Sequence, residues 1–145
     1  MEFDDEIKKK YGLGRVVLEK EENRYTVRWL AKEPSRLPQA LWLMFSGMNE
    51  KWEIEKLGEW ISPDDILDSR LISAFDSGAR NDEFFIKSYD CALAAPYGRH
   101  LLEYDIATEK QDLYFNLYNN IWNTNLPMWF GEDAVYRFEI LGREI

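Results

Sequence analysis

The sequence predicts an α+β fold in which an antiparallel sheet of about six strands packs against two or three helices. Several segments alternate between apolar and polar residues, and two segments carry helix-start signals. Strands and helices do not follow each other in β-α-β order, which argues against a parallel sheet. The chain has 145 residues and no linker or internal repeat, so we predict a single domain over 1–145.

The first half of the chain is predicted to form strands. Residues 15–20 and 24–30 make a hairpin around a turn at 21–23, because the second segment alternates strictly. The apolar run 41–45 suits a buried strand better than a short buried helix. Residues 52–55 then alternate on a strand that returns after a glycine-containing turn.

Two helices are predicted from their first turns. The segment that begins at Ser62 has a hydroxyl N-cap, a proline and two aspartates, and Gly78 ends it. Thr108 and Gln111 form a capping box, and apolar residues then recur at helical spacing as far as Trp122. This second segment is the clearest helix in the sequence.

The remaining strands lie in the second half of the chain. Residues 84–94 and 100–106 are predicted as two strands joined by a proline and glycine turn at 95–98. Residues 134–141 alternate and form the last strand, which is apolar on one face.

The net charge and the single cysteine restrict the kind of partner and the cellular compartment that we expect. The net charge of -9 disfavours binding to nucleic acid or to an anionic membrane, and it favours a basic partner. Cys91 is the single cysteine, so no internal disulfide forms and a reducing compartment fits best. The acidic N-terminus resembles no secretory signal and no apolar run could span a bilayer, so we expect a cytoplasmic protein.

The sequence lacks a recognisable catalytic or metal-binding set. Asp64, Asp65 and Asp68 have the spacing of a magnesium-binding DDxxD motif, but helix capping accounts for the first two. Asp68 falls in the apolar stripe of the predicted helix, so it either pairs with an arginine or points into a contact surface. The single histidine, His100, has no acidic residue on its own strand face. We therefore predict no enzyme, cofactor or metal.

The acidic residues are concentrated in the middle of the chain. Residues 59–83 contain seven carboxylates against Arg70 and Arg80, and Trp60 stands at their margin. Tryptophan is enriched in interface hot spots, and complementary charge speeds association. We therefore predict a partner-binding face formed by Trp60, Asp64, Asp65, Asp68, Asp76, Asp82 and Glu83.

This profile resembles the small acidic immunity proteins with which bacteria neutralise toxins delivered by neighbouring cells. The resemblance covers the whole chain loosely and rests on no motif. It implies a stoichiometric inhibitor whose partner is a basic toxin domain, commonly a nuclease.

Two alternatives remain open. The aromatic residues could line the pocket of a small enzyme or ligand-binding domain, with His100 or Asp90 as polar contacts. An acidic mimic of DNA would need carboxylates spaced like phosphates, and a net charge of -9 is modest for that role.

Overall fold

The computed structural model describes residues 5–46, 51–62, 72–73, 78–96, 112–121 and 130–142. These residues form one short helix and eleven strands. The elements are α1 (Asp5–Tyr11), β1 (Arg15–Glu21), β2 (Arg24–Leu30), β3 (Ala40–Phe45), β4 (Glu53–Lys56), β5 (Glu59–Ile61), β6 (Ile72–Ser73), β7 (Ala79–Arg80), β8 (Phe84–Ser88), β9 (Leu93–Pro96), β10 (Leu113–Asn119) and β11 (Ala134–Gly142).

The strands make two antiparallel sheets. The seven-stranded sheet has the order β1-β2-β11-β8-β7-β4-β5, and the four-stranded sheet has the order β3-β10-β9-β6. Strands that are distant in sequence are neighbours in both sheets, as when β11 lies between β2 and β8. The chain therefore passes repeatedly from one sheet to the other.

Strand register places the apolar side chains on one face of the seven-stranded sheet. Ile86 on β8 lies opposite both Ile140 on β11 and Ala79 on β7. Ala79 in turn lies opposite Ile54 on β4. Successive side chains of a strand point to opposite faces, so the residues next to these in sequence face away from the core.

Three phenylalanine rings join the two sheets. Phe45 on β3 and Phe115 on β10 belong to the four-stranded sheet, whereas Phe138 on β11 belongs to the seven-stranded sheet. The Phe115 and Phe138 ring centroids are 5.0 Å apart, and Phe45 lies 5.9 Å from Phe115 and 6.0 Å from Phe138. All three pairs meet edge to face, the arrangement that aromatic quadrupoles favour. The core therefore lies between the sheets.

The predicted α+β fold class, with two or three helices, is wrong. The chain folds mostly as antiparallel sheet, and α1 is the one helix among the described residues. Residues 113–119, predicted as the clearest helix, form β10 instead. Leu113, Phe115 and Leu117 are all buried and alternate at period two, which suits a strand with neighbours on both sides. The leucine spacing of four residues also fits a helix, and tertiary pairing decides between the two.

The other predicted helix is also contradicted where it can be compared. Ile72–Ser73 pair with β9 as a strand, although the prediction places them inside a helix. The residues that signal the start of each predicted helix lie outside the described residues, except Ser62. Helix α1 has no counterpart in the prediction. With seven residues it is too short to cross a membrane, and the described residues include no other helix.

Several strand predictions are confirmed, and one is wrong. The hairpin of β1 and β2 and the last strand β11 form at the predicted positions, and the apolar run 41–45 forms the strand β3 as predicted. The predicted strand 84–94 is instead divided between β8 and β9, which belong to different sheets. The Ser88 hydroxyl donates to the Cys91 carbonyl oxygen at 2.5 Å and holds the chain where it changes sheet. The strand predicted at 100–106 lies outside the described residues.

Replacing Phe115 with alanine should remove the centre of the aromatic contact between the sheets. We expect the free energy of unfolding to fall by about 3–5 kcal/mol, because the ring is fully buried and leaves a cavity. Urea unfolding followed by circular dichroism measures the loss. Leu57→Ala is the control, since that side chain is 81% exposed in the β4–β5 turn and should cost roughly 0.5 kcal/mol or less. Equal losses in the two variants would contradict the placement of Phe115.

Candidate functional site

A cluster of aromatic and charged side chains lies on the outward face of the seven-stranded sheet, near its β5 edge. Ile54 and Ile61 pack against the core, so their neighbours Glu53 and Trp60 face away from it. Arg80 lies opposite both Glu53 and Phe85 in strand register. We call this cluster the Trp60 corner; it consists of Glu53, Trp60, Arg80, Asp82, Glu83 and Phe85.

The Trp60 ring is packed on two sides. The Arg80 guanidinium carbon lies 4.2 Å from the ring centroid, which is a cation–π contact. The Phe85 ring meets Trp60 edge to face with centroids 5.9 Å apart. Arg80 is itself fixed, because its Nε donates to Glu53 Oε2 at 2.6 Å. Trp60 is therefore half-buried and held in one orientation while part of its ring stays accessible.

A tight turn between β7 and β8 carries Asp82 and Glu83, which lie between Arg80 and Phe85 in the chain. The buried Asn81 side chain accepts hydrogen bonds at Oδ1 from the backbone N–H groups of Glu83 at 3.0 Å and Phe84 at 2.7 Å. The Asn81 N–H also donates to the Phe84 carbonyl at 2.9 Å. An asparagine side chain that bonds the following backbone is a stable turn device. The two acidic side chains at the tip are consequently exposed at a fixed position.

The Trp60 corner is negative. It carries three carboxylates, from Glu53, Asp82 and Glu83, against the single guanidinium of Arg80. Arg80 is engaged by Glu53 and by the Trp60 ring. Close to the corner, Glu59 is exposed on β5 and lies opposite the exposed Lys56 on β4. The local excess of negative charge favours contact with a basic surface.

Glu55 lies on the same face of the sheet as Glu53 and Trp60, but its side chain is buried. It lies opposite Trp60 in register and is 6% exposed. Its Oε1 accepts a hydrogen bond from the Gly58 N–H at 2.5 Å, which stabilises the β4–β5 turn. Leu57 and Gly58 both have positive φ in this turn, at 56° and 88°, as a two-residue hairpin turn requires. Glu55 therefore helps to set the orientation of the strand that carries Trp60.

Three of the seven residues predicted to bind a partner, namely Trp60, Asp82 and Glu83, lie in the described part of the chain. Trp60 contacts Arg80 and Phe85, and Asp82 and Glu83 lie on the turn between those two residues. The other four, Asp64, Asp65, Asp68 and Asp76, lie outside the described residues. Sequence reasoning missed Arg80 and Phe85 as neighbours of Trp60. Arg80 and Phe85 are the sequence neighbours of the buried Ala79 and Ile86, so each is expected to face outward. Only the pairing of β7 with β4 and β8 shows that they lie next to each other.

Asp90, considered above as a polar contact in a ligand pocket, is held by an arginine. Arg137 donates to its carboxylate from Nε at 2.8 Å, from Nη2 at 2.8 Å and from the backbone N–H at 2.9 Å. These hydrogen bonds to Arg137 hold the pKa of Asp90 below its usual range. Asp90 is therefore committed to a surface ion pair. His100, the other proposed pocket residue, lies outside the described residues.

Cys91, the single cysteine, is buried. Burial raises the pKa of the Cys91 thiol to about 11, so it is protonated and unreactive at neutral pH. The thiol donates to the Asn116 carbonyl oxygen at 3.2 Å. Within the same described ranges, no group of three or more histidine, cysteine or acidic side chains could hold a metal ion.

Replacing Asp90 with asparagine should lower the free energy of unfolding at neutral pH by roughly 1 kcal/mol or less, the range of exposed ion pairs. The pKa of Asp90 is lowered in the folded state, so its contribution is present above the ordinary pKa of 3.8 and is lost as the pH falls through the lowered value. The difference between variant and wild type should therefore shrink in acid. Urea unfolding across this range measures it, with the exposed Glu132→Gln as control. A difference that grows in acid would contradict this assignment.

The Trp60 corner thus offers a fixed aromatic surface and an excess of carboxylates, which is the composition of a contact surface more than that of a reaction centre. No protein-family model, curated protein or solved structure matches this chain.

Proposed function

We propose that this protein is a stoichiometric inhibitor that binds a basic partner protein through the Trp60 corner. The observation that carries the proposal is the position of Trp60, which is held by Arg80 and Phe85 beside the exposed tip at Asp82 and Glu83. An aromatic anchor and a source of negative potential therefore lie on one part of the surface.

The packing of Trp60 favours tight binding. A side chain that is ordered before association loses less conformational entropy when it is buried by a partner. Trp60 is already held by the Arg80 cation at 4.2 Å and by the Phe85 ring. It has the properties of a hot spot at the centre of an interface, which mainly slows dissociation.

The acidic tip favours fast binding. Asp82 and Glu83 are exposed on a turn fixed by Asn81, and the chain as a whole carries a charge of -9. Such a distribution steers a basic protein towards the corner and raises the association rate at low salt.

The resemblance to immunity proteins supports a toxin domain as the basic partner, and a nuclease is the commonest kind. An inhibitor of this class needs no catalytic group of its own, because it blocks the active site or substrate cleft of its partner. The composition of the Trp60 corner is compatible with that role.

The identity of the partner can be tested from the reading frames beside the gene. We expect one of them to encode a secreted protein with a basic C-terminal domain. Co-expression of this chain should suppress the toxicity of that domain, and the purified proteins should form a 1:1 complex. The proposed inhibitor function would be refuted if the neighbouring genes were metabolic and encoded no such domain, or if co-expression left the toxicity unchanged.

Reversing the charge at the tip with Asp82→Lys and Glu83→Lys should lower the association rate about tenfold or more at low salt and flatten its salt dependence. Stopped-flow mixing with the basic domain measures both quantities. The matched control is Glu21→Lys with Glu22→Lys, which reverses two exposed acids at the β1–β2 hairpin on the other edge of the same sheet. Equal effects of the two double variants would place the contact outside the Trp60 corner.

Removing the anchor with Trp60→Ala should weaken binding by about 30-fold, chiefly through faster dissociation, as expected of a hot spot worth about 2 kcal/mol. Surface plasmon resonance resolves the two rates. Unfolding in urea shows whether the variant keeps its fold. If the variant is folded and its dissociation rate is unchanged, Trp60 does not lie in the interface.

A further inference from the structure

Strand β1 has one side of its backbone unpaired in the described structure. It stands at one end of the seven-stranded sheet, where β2 pairs with one of its sides and none of the described strands pairs with the other. Five of its seven residues are exposed, so the described chain leaves this edge largely open. The strand at the opposite edge of the sheet, β5, has only three residues. An unpaired edge of seven residues is a template on which another strand can pair.

The hydrogen bonds of the sheet show which backbone groups of β1 point to the open edge. The Ile140 N–H donates to the Asn23 carbonyl oxygen at 2.8 Å, so the odd-numbered residues of β2 bond to β11 in this antiparallel ladder. The even-numbered residues of β2 therefore bond to β1, and their partners there are odd-numbered. The N–H and C=O groups of Val16, Leu18 and Lys20 consequently point away from β2.

The side chains of β1 are complementary to themselves about Leu18. Leu18 is 57% exposed, although its register partner on β2 is buried. Arg15 lies three residues before it and Glu21 three residues after it, and both are exposed. Neither of these two charged side chains has an ion pair or hydrogen bond among the described residues. The strand carries two acidic and two basic side chains, so it has no net charge in a chain of net charge -9.

We propose that β1 pairs with β1 of a second copy of this chain and forms an antiparallel dimer about a twofold axis at Leu18. In this register Leu18 lies opposite its own counterpart, and Val16 lies opposite Lys20 of the second copy. The outward N–H and C=O groups of all three residues then form hydrogen bonds. Arg15 lies opposite Glu21 of the second copy at each end of the contact, as an opposite-charge pair. A twofold axis makes both halves of the contact identical.

Neighbouring registers fit less well. A twofold axis at Glu19 places two glutamates directly opposite each other, which is destabilising. A twofold axis at Val17 pairs only five of the seven residues of β1 and brings Arg15 opposite Glu19. Glu19 already accepts a hydrogen bond from Arg28 Nε at 2.9 Å in its own chain. The axis at Leu18 uses the whole strand and matches the two charged side chains that have no partner.

The described surroundings of β1 are compatible with this pairing. The Lys20 side chain stays on its own chain, because its Nζ lies 5.3 Å from the centroid of the Tyr25 ring. The Trp60 corner lies at the opposite edge of the sheet, so each chain of the dimer keeps its corner open. The dimer therefore does not rest on the proposed inhibitor function. A contact made mainly by one strand falls in the class of weak interfaces below about 1,200 Å², so we expect the dimer to dissociate on dilution.

Sedimentation equilibrium of the full chain at concentrations up to about 1 mM should show a reversible monomer–dimer equilibrium. A mass that stays monomeric throughout would overturn the proposal. Leu18→Lys places two like charges at the twofold axis and should raise the dissociation constant of the dimer about tenfold or more. The matched control is Leu57→Lys, because Leu57 is 81% exposed in the β4–β5 turn and should leave the dissociation constant unchanged. Equal dissociation constants for the two variants would also overturn it.

A charge exchange tests the register. Arg15→Glu and Glu21→Arg each place like charges opposite each other at both ends of the contact, so each variant alone should weaken the dimer about tenfold. The double variant restores both opposite-charge pairs and should dimerise as the wild type does. Circular dichroism verifies that each variant is folded. A double variant that dimerises no better than the single variants, or single variants that dimerise normally, would refute the register.

Hydrogen exchange followed by NMR reports the pairing in the unmodified chain. The amides of Val16, Leu18 and Lys20 should exchange rapidly in dilute solution and slowly at the concentrations where the dimer forms. The amides of Val17 and Glu19 bond to β2 and should exchange slowly in both. If the first three amides still exchange rapidly in the dimer, the two copies do not meet through β1.

Discussion

The contact of Phe45, Phe115 and Phe138 is the constraint on which the rest of the described structure depends. It brings two sheets together that share no hydrogen-bonded strands. Once Phe138 faces the core, strand register fixes the facing of Ile140, Ile86, Ala79 and Ile54 across four strands. The residues between them must then face outward. The outward face therefore includes Trp60, Arg80 and Phe85, because the residue next to each of them in sequence points into the core.

The buried lysine Lys32 ties together several segments near the other edge of the seven-stranded sheet. Its Nζ donates to the carbonyl oxygens of Phe130 at 2.6 Å and Glu33 at 3.1 Å, and it lies over the rings of Trp29 and Tyr118. Burial lowers the pKa of this amine, yet the two carbonyls and two rings favour its charged form. The same contacts, together with the hydrogen bond from its indole N–H to the Leu13 carbonyl oxygen, fix the Trp29 ring.

Local patterns predicted the parts of the fold that are formed by residues close in sequence. Residues 24–30 alternate strictly and residues 134–141 alternate with one apolar face, and both form strands at the predicted positions. Residues 113–119 satisfy a helical and a strand spacing at once, and the pairing of β10 with β3 and β9 decides the outcome. Local patterns were likewise insufficient to predict the whole of the candidate site. Composition singled out Trp60, Asp82 and Glu83, but Arg80 and Phe85 join them only through strand pairings that no local pattern encodes.

The Trp60 corner depends on the phenylalanine contact through β8. Phe85 on β8 lies opposite Leu141 on β11, and Phe138 of β11 packs against Phe115 of the other sheet. Arg80 on β7 lies opposite Phe85, and Glu53 on β4 lies opposite Arg80. The residues that hold Trp60 are therefore placed by consecutive strand pairings that begin at the core.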